Sequence, residues 1–325
     1  MTSMLVREPR RGAAGSGRVH DEERAALDWA EIQEPLLVPL YTAVYERLAV
    51  GPDTRLLGLG CGAGLALLLA RARGAAVTGV DDGPRARLAL AGKRLGCSVS
   101  GAGTSRGPVP PPGAAVPRRD VARGDGTARS VDDAGTPRLL HGSPGVLRDV
   151  AAPPHTVVTA FQPAGATAGD YAPLAARLRE GLSFAARDAT VGVAGWGPPE
   201  RCAASDVLRV ATRLADTDAS LSFGPGELGA GRGWRPERRD DLEAVAARAG
   251  LRLLGSGRVA CPFGYAGITG AVRGLLSTGL LDAAVEATDA AQVDKELRVA
   301  LHPYIRRDGT VWMPNVFRYV VARRD

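Results

Sequence analysis

Lysine is nearly absent from this 325-residue chain: Lys93 and Lys295 stand alone, and the rest of its 41 basic residues are arginine. The formal net charge of +6 therefore rests on arginines scattered among 35 acidic residues, with no basic stripe to follow a phosphate backbone. A solvated surface is expected, and a nucleic-acid partner is not. Cysteine is also sparse. Cys61, Cys97, Cys202 and Cys261 lie far apart and form no CxxC pair, which argues against both a metal site and a disulfide framework. The opening residues, MTSMLVREPRRGAAGSGRVH, carry no apolar core of a secretory signal. No apolar run reaches the roughly 20 residues of a membrane span. A soluble, reduced, cytoplasmic chain is the expectation, long enough for one large or two modest domains.

What is present alternates between strand and helix patterns. Residues 1–19 read as a disordered tail, and residues 20–50 as a helical segment in which Pro35 and Pro39 set a bend between two short helices. A strand over 55–59, a glycine-rich turn over 60–64 and the helix LALLLARAR follow, then the strand AAVTGVD and the helix ARLALAGKRL. Such a strand–helix–strand unit implies a parallel sheet with right-handed crossovers. Residues 97–137 contain no Leu, Ile, Met, Phe, Tyr or Trp, too little apolar surface to offset ordering, and read as a flexible insertion. Strands resume at HTVVTAF and ATVGVAGW, separated by the helix YAPLAARLREGL. Residues 200–300 read as a helical cap with a glycine-rich loop, FGPGELGAGRGW, and one core strand near 251–262. TVWMPNVFRYVVAR, within 301–325, reads as a hairpin turning at Met313-Pro314-Asn315.

The turn RLLGLGCGAG carries the chemistry. Missing side chains at Gly60, Gly62 and Gly64 let a ligand approach the backbone at a helix start. Asp81, with Asp82 as a near substitute, ends the next strand, where an acid accepts hydrogen bonds from ribose hydroxyls. The dinucleotide fingerprint needs a small residue at position 65, which is Leu65, and no GK[ST] of a P-loop follows. The spacing present is G-x-G-x-G.

That spacing, with one acid after the second strand, resembles the class I S-adenosylmethionine-dependent methyltransferases. WAEIQEPLLVPLY, GPDTRLLGLGCGAGLALLLA, VTGVD, VGVAGWGPPERC and MPNVFRYVVARR are similar to small-molecule members of actinobacterial type, over most of residues 27–325. The resemblance implies a Rossmann-like doubly wound α/β sheet of seven strands, the last antiparallel in a terminal hairpin, over residues 51–199 and the chain's end. It further implies S-adenosyl-L-methionine as cofactor, held by Gly60, Gly62, Gly64 and Asp81. Three polar anchors depart from the family's pattern. Gly58 stands where an acid precedes the turn, Ser143 where an acid meets the adenine, and His155-Thr156 where the fourth strand begins Phe-Asp. A charge-assisted hydrogen bond lost at each costs roughly 1.5–3 kcal/mol. By this reading, restoring an acid at position 58 tightens binding.

Methyl transfer needs alignment and, for some acceptors, a base. His155 is the candidate base if it faces the pocket and a solvated strand residue if it does not; His141 stands in the same position. Trp29 and Glu34 lie on the lid, and Glu34 reads either as a partial replacement for a missing acid or as a surface charge. Tyr41 reads as core or pocket wall, and Trp196 as pocket wall. No metal is expected. The [DNS]PP[YFW] motif of base-methylating enzymes is missing, since Thr159-Ala160-Phe161-Gln162 stands there. The leading expectation is methylation of a small molecule in secondary metabolism, such as antibiotic biosynthesis. The altered anchors keep two others open: an enzyme of the same fold that does not methylate (a cyclase or lyase), and a non-catalytic partner subunit. A homo-oligomer is compatible with each.

Overall fold

The computed structural model describes residues 14–101, 135–161, 172–219 and 240–324. The start of the tail, most of the flexible insertion and the loop FGPGELGAGRGW lie outside the described residues.

The N-terminal segment is continuously helical but changes type. Helix α1 (Ala14–Asp28) runs into a π-helical turn at Trp29–Gln33, a 3-10 turn at Glu34–Leu37 and α2 (Val38–Arg47). Helix therefore begins within the residues expected as tail. Pro35 and Pro39 each sit in the first turn of a segment, where a missing N–H leaves no helical bond unmade, so the chain switches helix type there.

Then come β1 (Arg55–Leu59), α3 (Leu65–Ala72), β2 (Ala76–Asp81), α4 (Arg85–Leu95), β3 (Val99–Gly101), β4 (Arg138–His141) and β5 (His155–Phe161). They are followed by α5 (Ala172–Leu182), β6 (Ala185–Trp196), α6 (Ala203–Ala219), α7 (Asp241–Arg248), β7 (Leu251–Ala260) and β8 (Phe263–Tyr265). The chain closes with α8 (Ile268–Leu276), α9 (Asp282–Ala287), α10 (Ala290–Leu301), β9 (Val311–Met313) and β10 (Val316–Arg324).

Eight described strands form the main sheet in the order β3-β4-β2-β1-β5-β6-β10-β7. Neighbours from β3 to β6 pair in parallel, and β10 inserts antiparallel between β6 and β7. This is a Rossmann-like doubly wound sheet with a terminal antiparallel pair. The strand beyond the expected seven is β3, a three-residue edge strand on β4.

The antiparallel pair differs from expectation in its partners. Val311–Met313 does not turn back on Val316–Arg324: β9 pairs with β8 in a separate two-stranded sheet, and β10 pairs with β7 and β6. Tight two-residue hairpins need a positive φ at their first central residue, which proline's ring forbids at Pro314. Asn315 makes a corner instead. Its Oδ1 accepts from Ala204 N at 2.9 Å and its Nδ2 donates to Met313 O at 3.2 Å.

Both sheet faces are covered. One buried cluster joins the N-terminal segment, α3, α4, α6 and α8–α10 to the sheet, and the other joins α5 and α7. Helix α7 thus belongs to the layer opposite the cap helices. No helix among the described residues is long and apolar enough to cross a membrane.

Candidate ligand site at the glycine-rich turn

The turn follows β1 at the carboxyl edge of the parallel strands, where doubly wound sheets bind ligands. Gly60, Gly62 and Gly64 have φ of 67°, 54° and 81°, the left-handed region that strains any other residue. A Cβ on Gly64 would also stand 2.7 Å from Ala91 Cβ, so this glycine lets α3 and α4 cross closely.

Gly58 has a packing explanation. It pairs in register with Gly79 of β2, and Leu67 lies over the notch these two glycines leave. A Cβ at 58 would meet Leu67 Cδ2 at 2.8 Å, and one at 79 would meet Leu67 Cδ1 at 2.5 Å. An acid restored at position 58 would therefore displace a leucine that is 1 % exposed, and the expected gain in binding is replaced by a packing conflict.

Four of the turn's backbone donors are bound within the protein. Gly60 N donates to Val80 O at 2.8 Å and Gly64 N to Cys61 O at 2.9 Å. The other two meet carboxylates: Gly62 N donates to Asp81 Oδ2 at 2.6 Å, and Leu65 N to Glu34 Oε1 at 3.3 Å. Gly83 N completes the set, donating to Asp81 Oδ1 at 2.7 Å. A phosphate would find these four N–H groups taken and two carboxylates facing it. The electrostatics favour a ligand with cationic character and exclude a pyrophosphate.

Glu34 is the residue whose two sequence readings separate most clearly. It is 2 % exposed and faces the same cavity as Asp81, which overturns the surface-charge reading. Burial raises its pKa above the usual carboxylate range, and the guanidinium of Arg94 opposes that shift. Arg94 donates to Glu34, to Ala63 O at 2.9 Å and to Ala30 O at 2.7 Å, tying α4 to the turn and to the N-terminal segment. Trp29 lies beside them, its buried indole Nε1 turned to the carboxylate of Glu34. Arg87 stacks over the Trp29 ring, 4.7 Å from its centroid, and donates to Ser277 O.

The cavity measures about 160 Å³ and is also lined by Tyr41, Thr159 and Phe161. Pockets for drug-sized ligands are about 300–1,000 Å³, so entry of a nucleoside requires side chains at the mouth to move. Two are placed to do so. Arg87 is one; the other is Arg177, which donates to both oxygens of Asp82 at 2.8 and 3.0 Å. Asp82 is therefore engaged by a cation, whereas Asp81 receives only backbone N–H groups.

The remaining expectations divide. Trp29, Glu34 and Tyr41 come together at the cavity with Gly60, Gly62, Asp81 and Asp82. Trp196 does not. It is 5 % exposed and packs on Phe317 and Phe263, with ring centroids at 4.6 and 5.8 Å, as core. Ser143 caps the 3-10 turn after β4, 3.4 Å from the carboxylate of Glu180, and takes no part in lining the cavity. His141 ends β4 with Nε2 3.2 Å from Gly83 O.

His155 is corrected on both of its readings. It opens β5, six residues before Phe161, and so stands about 20 Å from the cavity at the opposite edge of the sheet. It is also buried, 5 % exposed, rather than solvated. Burial, then Arg55 and Arg138, lowers its pKa to about 4. Since the unfolded chain protonates first, near about pH 6.5, stability is expected to fall by roughly 3 kcal/mol as pH drops from about 6.5 to 4. Urea unfolding at pH 7.5 and 4.5 should show that loss in the wild type and a smaller one in His155→Gln. Equal losses would rule out His155 as their source.

Arg87, Arg94 and Arg177 escaped sequence reasoning. In an arginine-rich chain no single guanidinium stands out, and only a buried Glu34 would have called for a counter-ion. Among the described residues no group of three or more His, Cys, Asp or Glu side chains is placed to hold a metal ion.

No protein-family model matches the chain, and no curated protein matches it by sequence. Solved structures align at low identity. A Bacillus halodurans C-125 protein is 11 % identical, covering 87 % of this chain and 98 % of its own, with a TM-score of 0.48. The geranyl diphosphate C-methyltransferase of Streptomyces coelicolor A3(2), in complex with S-adenosyl-L-homocysteine, is 14 % identical over 88 % and 75 %, at 0.39. The cyclase SpnF is 15 % identical over 88 % and 79 %, at 0.44. Such values say nothing of what this chain binds.

Proposed function

We propose that the chain is an S-adenosylmethionine-dependent methyltransferase acting on a small molecule, in the biosynthesis of a natural product. The observation that carries this reading is the pair of carboxylates, Asp81 and Glu34, closing the N–H groups of a G-x-G-x-G turn at the carboxyl edge of the sheet. A sulfonium bearing an ammonium group suits that field, and a nucleotide phosphate does not.

The residues present fit the cofactor in donor type. Asp81 would take the ribose hydroxyls in exchange for one or both of its backbone donors, and Gly60 and Gly62 would leave room beside the sulfonium. The bound cofactor supplies an electrophilic methyl group. Tyr41 and Phe161, tilted against each other with ring centroids at 4.9 Å, form an apolar wall that orients the acceptor and excludes water. No histidine among the described residues lines the cavity, and His155 is given no part in the reaction.

A second reading, a same-fold enzyme that does not methylate, is favoured by the cavity's closure and by Ser143 standing outside it. Calorimetry with S-adenosylmethionine and S-adenosylhomocysteine separates the readings, followed by mass spectrometry of small-molecule acceptors. Micromolar binding with a methyl mass gain supports methyl transfer. Binding without any mass gain favours the second reading, and no binding at millimolar ligand would sink the first.

A further inference from the structure

We propose that the amino edge of the sheet carries a second ligand site, which receives a small dianion: a phosphate monoester or a dicarboxylate. It lies across the sheet from the glycine-rich turn and does not depend on the function proposed above. Strands β4, β2, β1 and β5 are neighbours and start together at that edge. At their first residues lies a cavity of about 700 Å³, within the usual range of ligand pockets. Arg55 of β1, Arg138 of β4 and His155 of β5 line it with Thr54 and Thr78. Asp53 is the one acid among its described lining residues.

The loop before β5 gathers the two arginines. Arg55 Nε donates to Pro154 O at 2.7 Å, and Arg138 Nη1 to Ala151 O at 3.0 Å. Three residues of chain span at most about 11 Å, so both guanidiniums are held at the foot of β5. Among the described residues the Arg55 side chain is bound through Nε alone, which leaves its terminal nitrogens for an oxyanion. His155 stands beside them, 5 % exposed, with Nδ1 buried and without a hydrogen-bond partner. After burial, the charges of Arg55 and then Arg138 lower its pKa, so their positive fields converge on the imidazole. On the other side, β6 pairs Ala185 with His155, and Arg324 is bound to the carbonyls of Leu182 and Ala185. Against these cations stands the exposed Asp53. An anion in the cavity would offset that surplus and take charge-assisted bonds from the side chains it meets.

Such binding carries a proton. An anion beside His155 raises its pKa from about 4 toward the ordinary 6.5. The complex then holds more protons than the free protein, and affinity climbs as pH falls.

Calorimetry with sodium sulfate tests the site, because sulfate stays a dianion over the range used, with sodium chloride holding ionic strength constant. The wild type should bind one sulfate, about two- to tenfold more tightly at pH 5.5 than at pH 7.5. Arg55→Gln should weaken it by about tenfold or more. His155→Gln should bind sulfate and lose the pH dependence. Asp81→Ala, at the carboxyl edge, should leave sulfate binding unchanged. Competition by inorganic phosphate and by succinate separates the two sources: the stronger competitor marks the class. Heats no larger than those of chloride would overturn the site, and so would binding that neither Arg55→Gln nor His155→Gln alters. Should Arg55→Gln fail to fold, by circular dichroism, the pH dependence in His155→Gln decides alone.

Discussion

Asp81→Ala is expected to lose S-adenosylhomocysteine by about a hundredfold, while Asp82→Ala binds it within about threefold of wild type. The two aspartates are neighbours in sequence and opposites in environment. Asp81 holds the turn from below, its oxygens on Gly62 N and Gly83 N, and lines the cavity. Two charge-assisted bonds to a ribose, at roughly 1.5–3 kcal/mol each before compensation, account for the size of the loss. Asp82 is bound to Arg177 near the surface, its side chain 46 % exposed, and such pairs contribute about 0–1 kcal/mol. Isothermal calorimetry on the three proteins checks the contrast. Comparable losses in both variants would move the ribose to a different anchor.

Gly64→Ala is expected to produce the largest loss of stability, about 2–5 kcal/mol, enough at its upper end to unfold a marginal domain. Two costs add at one atom. A Cβ at φ 81° strains the backbone by roughly 1–2 kcal/mol. The same Cβ stands 2.7 Å from Ala91 Cβ and 3.0 Å from its Cα, on a helix that cannot yield without moving α4. Overpacking of that kind costs about 1–3 kcal/mol more. Gly96→Ala serves as the control. Its φ of 68° carries the strain, but nothing lies within 4 Å of a Cβ there. Urea denaturation should place Gly96→Ala well above Gly64→Ala; equal midpoints would show that the crossing of α3 and α4 is looser than described.

The fold was legible wherever local pattern and tertiary role agree. HTVVTAF was readable as a strand because β-branched residues recur in a short run, and β5 has those bounds. The turn was readable because glycine at three positive-φ positions has a backbone cause. What escaped depended on partners distant in sequence. Whether Val311–Met313 pairs with Val316–Arg324 or with Phe263–Tyr265 is settled by Pro314 and Asn315 at the corner, not by strand propensity. Glu34 was ambiguous for the same reason, since its counter-ion is 60 residues away. Gly58 looked like a lost acid when set against a family pattern. Set against Gly79 and Leu67, it is one half of a packing notch. His155 was misplaced because sequence gives a residue's position along a strand but not which edge of the sheet holds the ligand.

Arg94 has a kinetic consequence. One guanidinium fastens the N-terminal segment, the turn and α4 through Ala30, Ala63 and Glu34. Lifting that segment as a flap would break the bonds of Arg94 to Ala30 and Glu34 together and separate a carboxylate from its counter-ion. Arg87 and Arg177 line the cavity outside that frame, each held by a bond to one neighbour. Exchange of a ligand at this cavity would then be gated by side chains on a stationary frame, and its rate should respond to Arg87 and Arg177 more than to hinge residues.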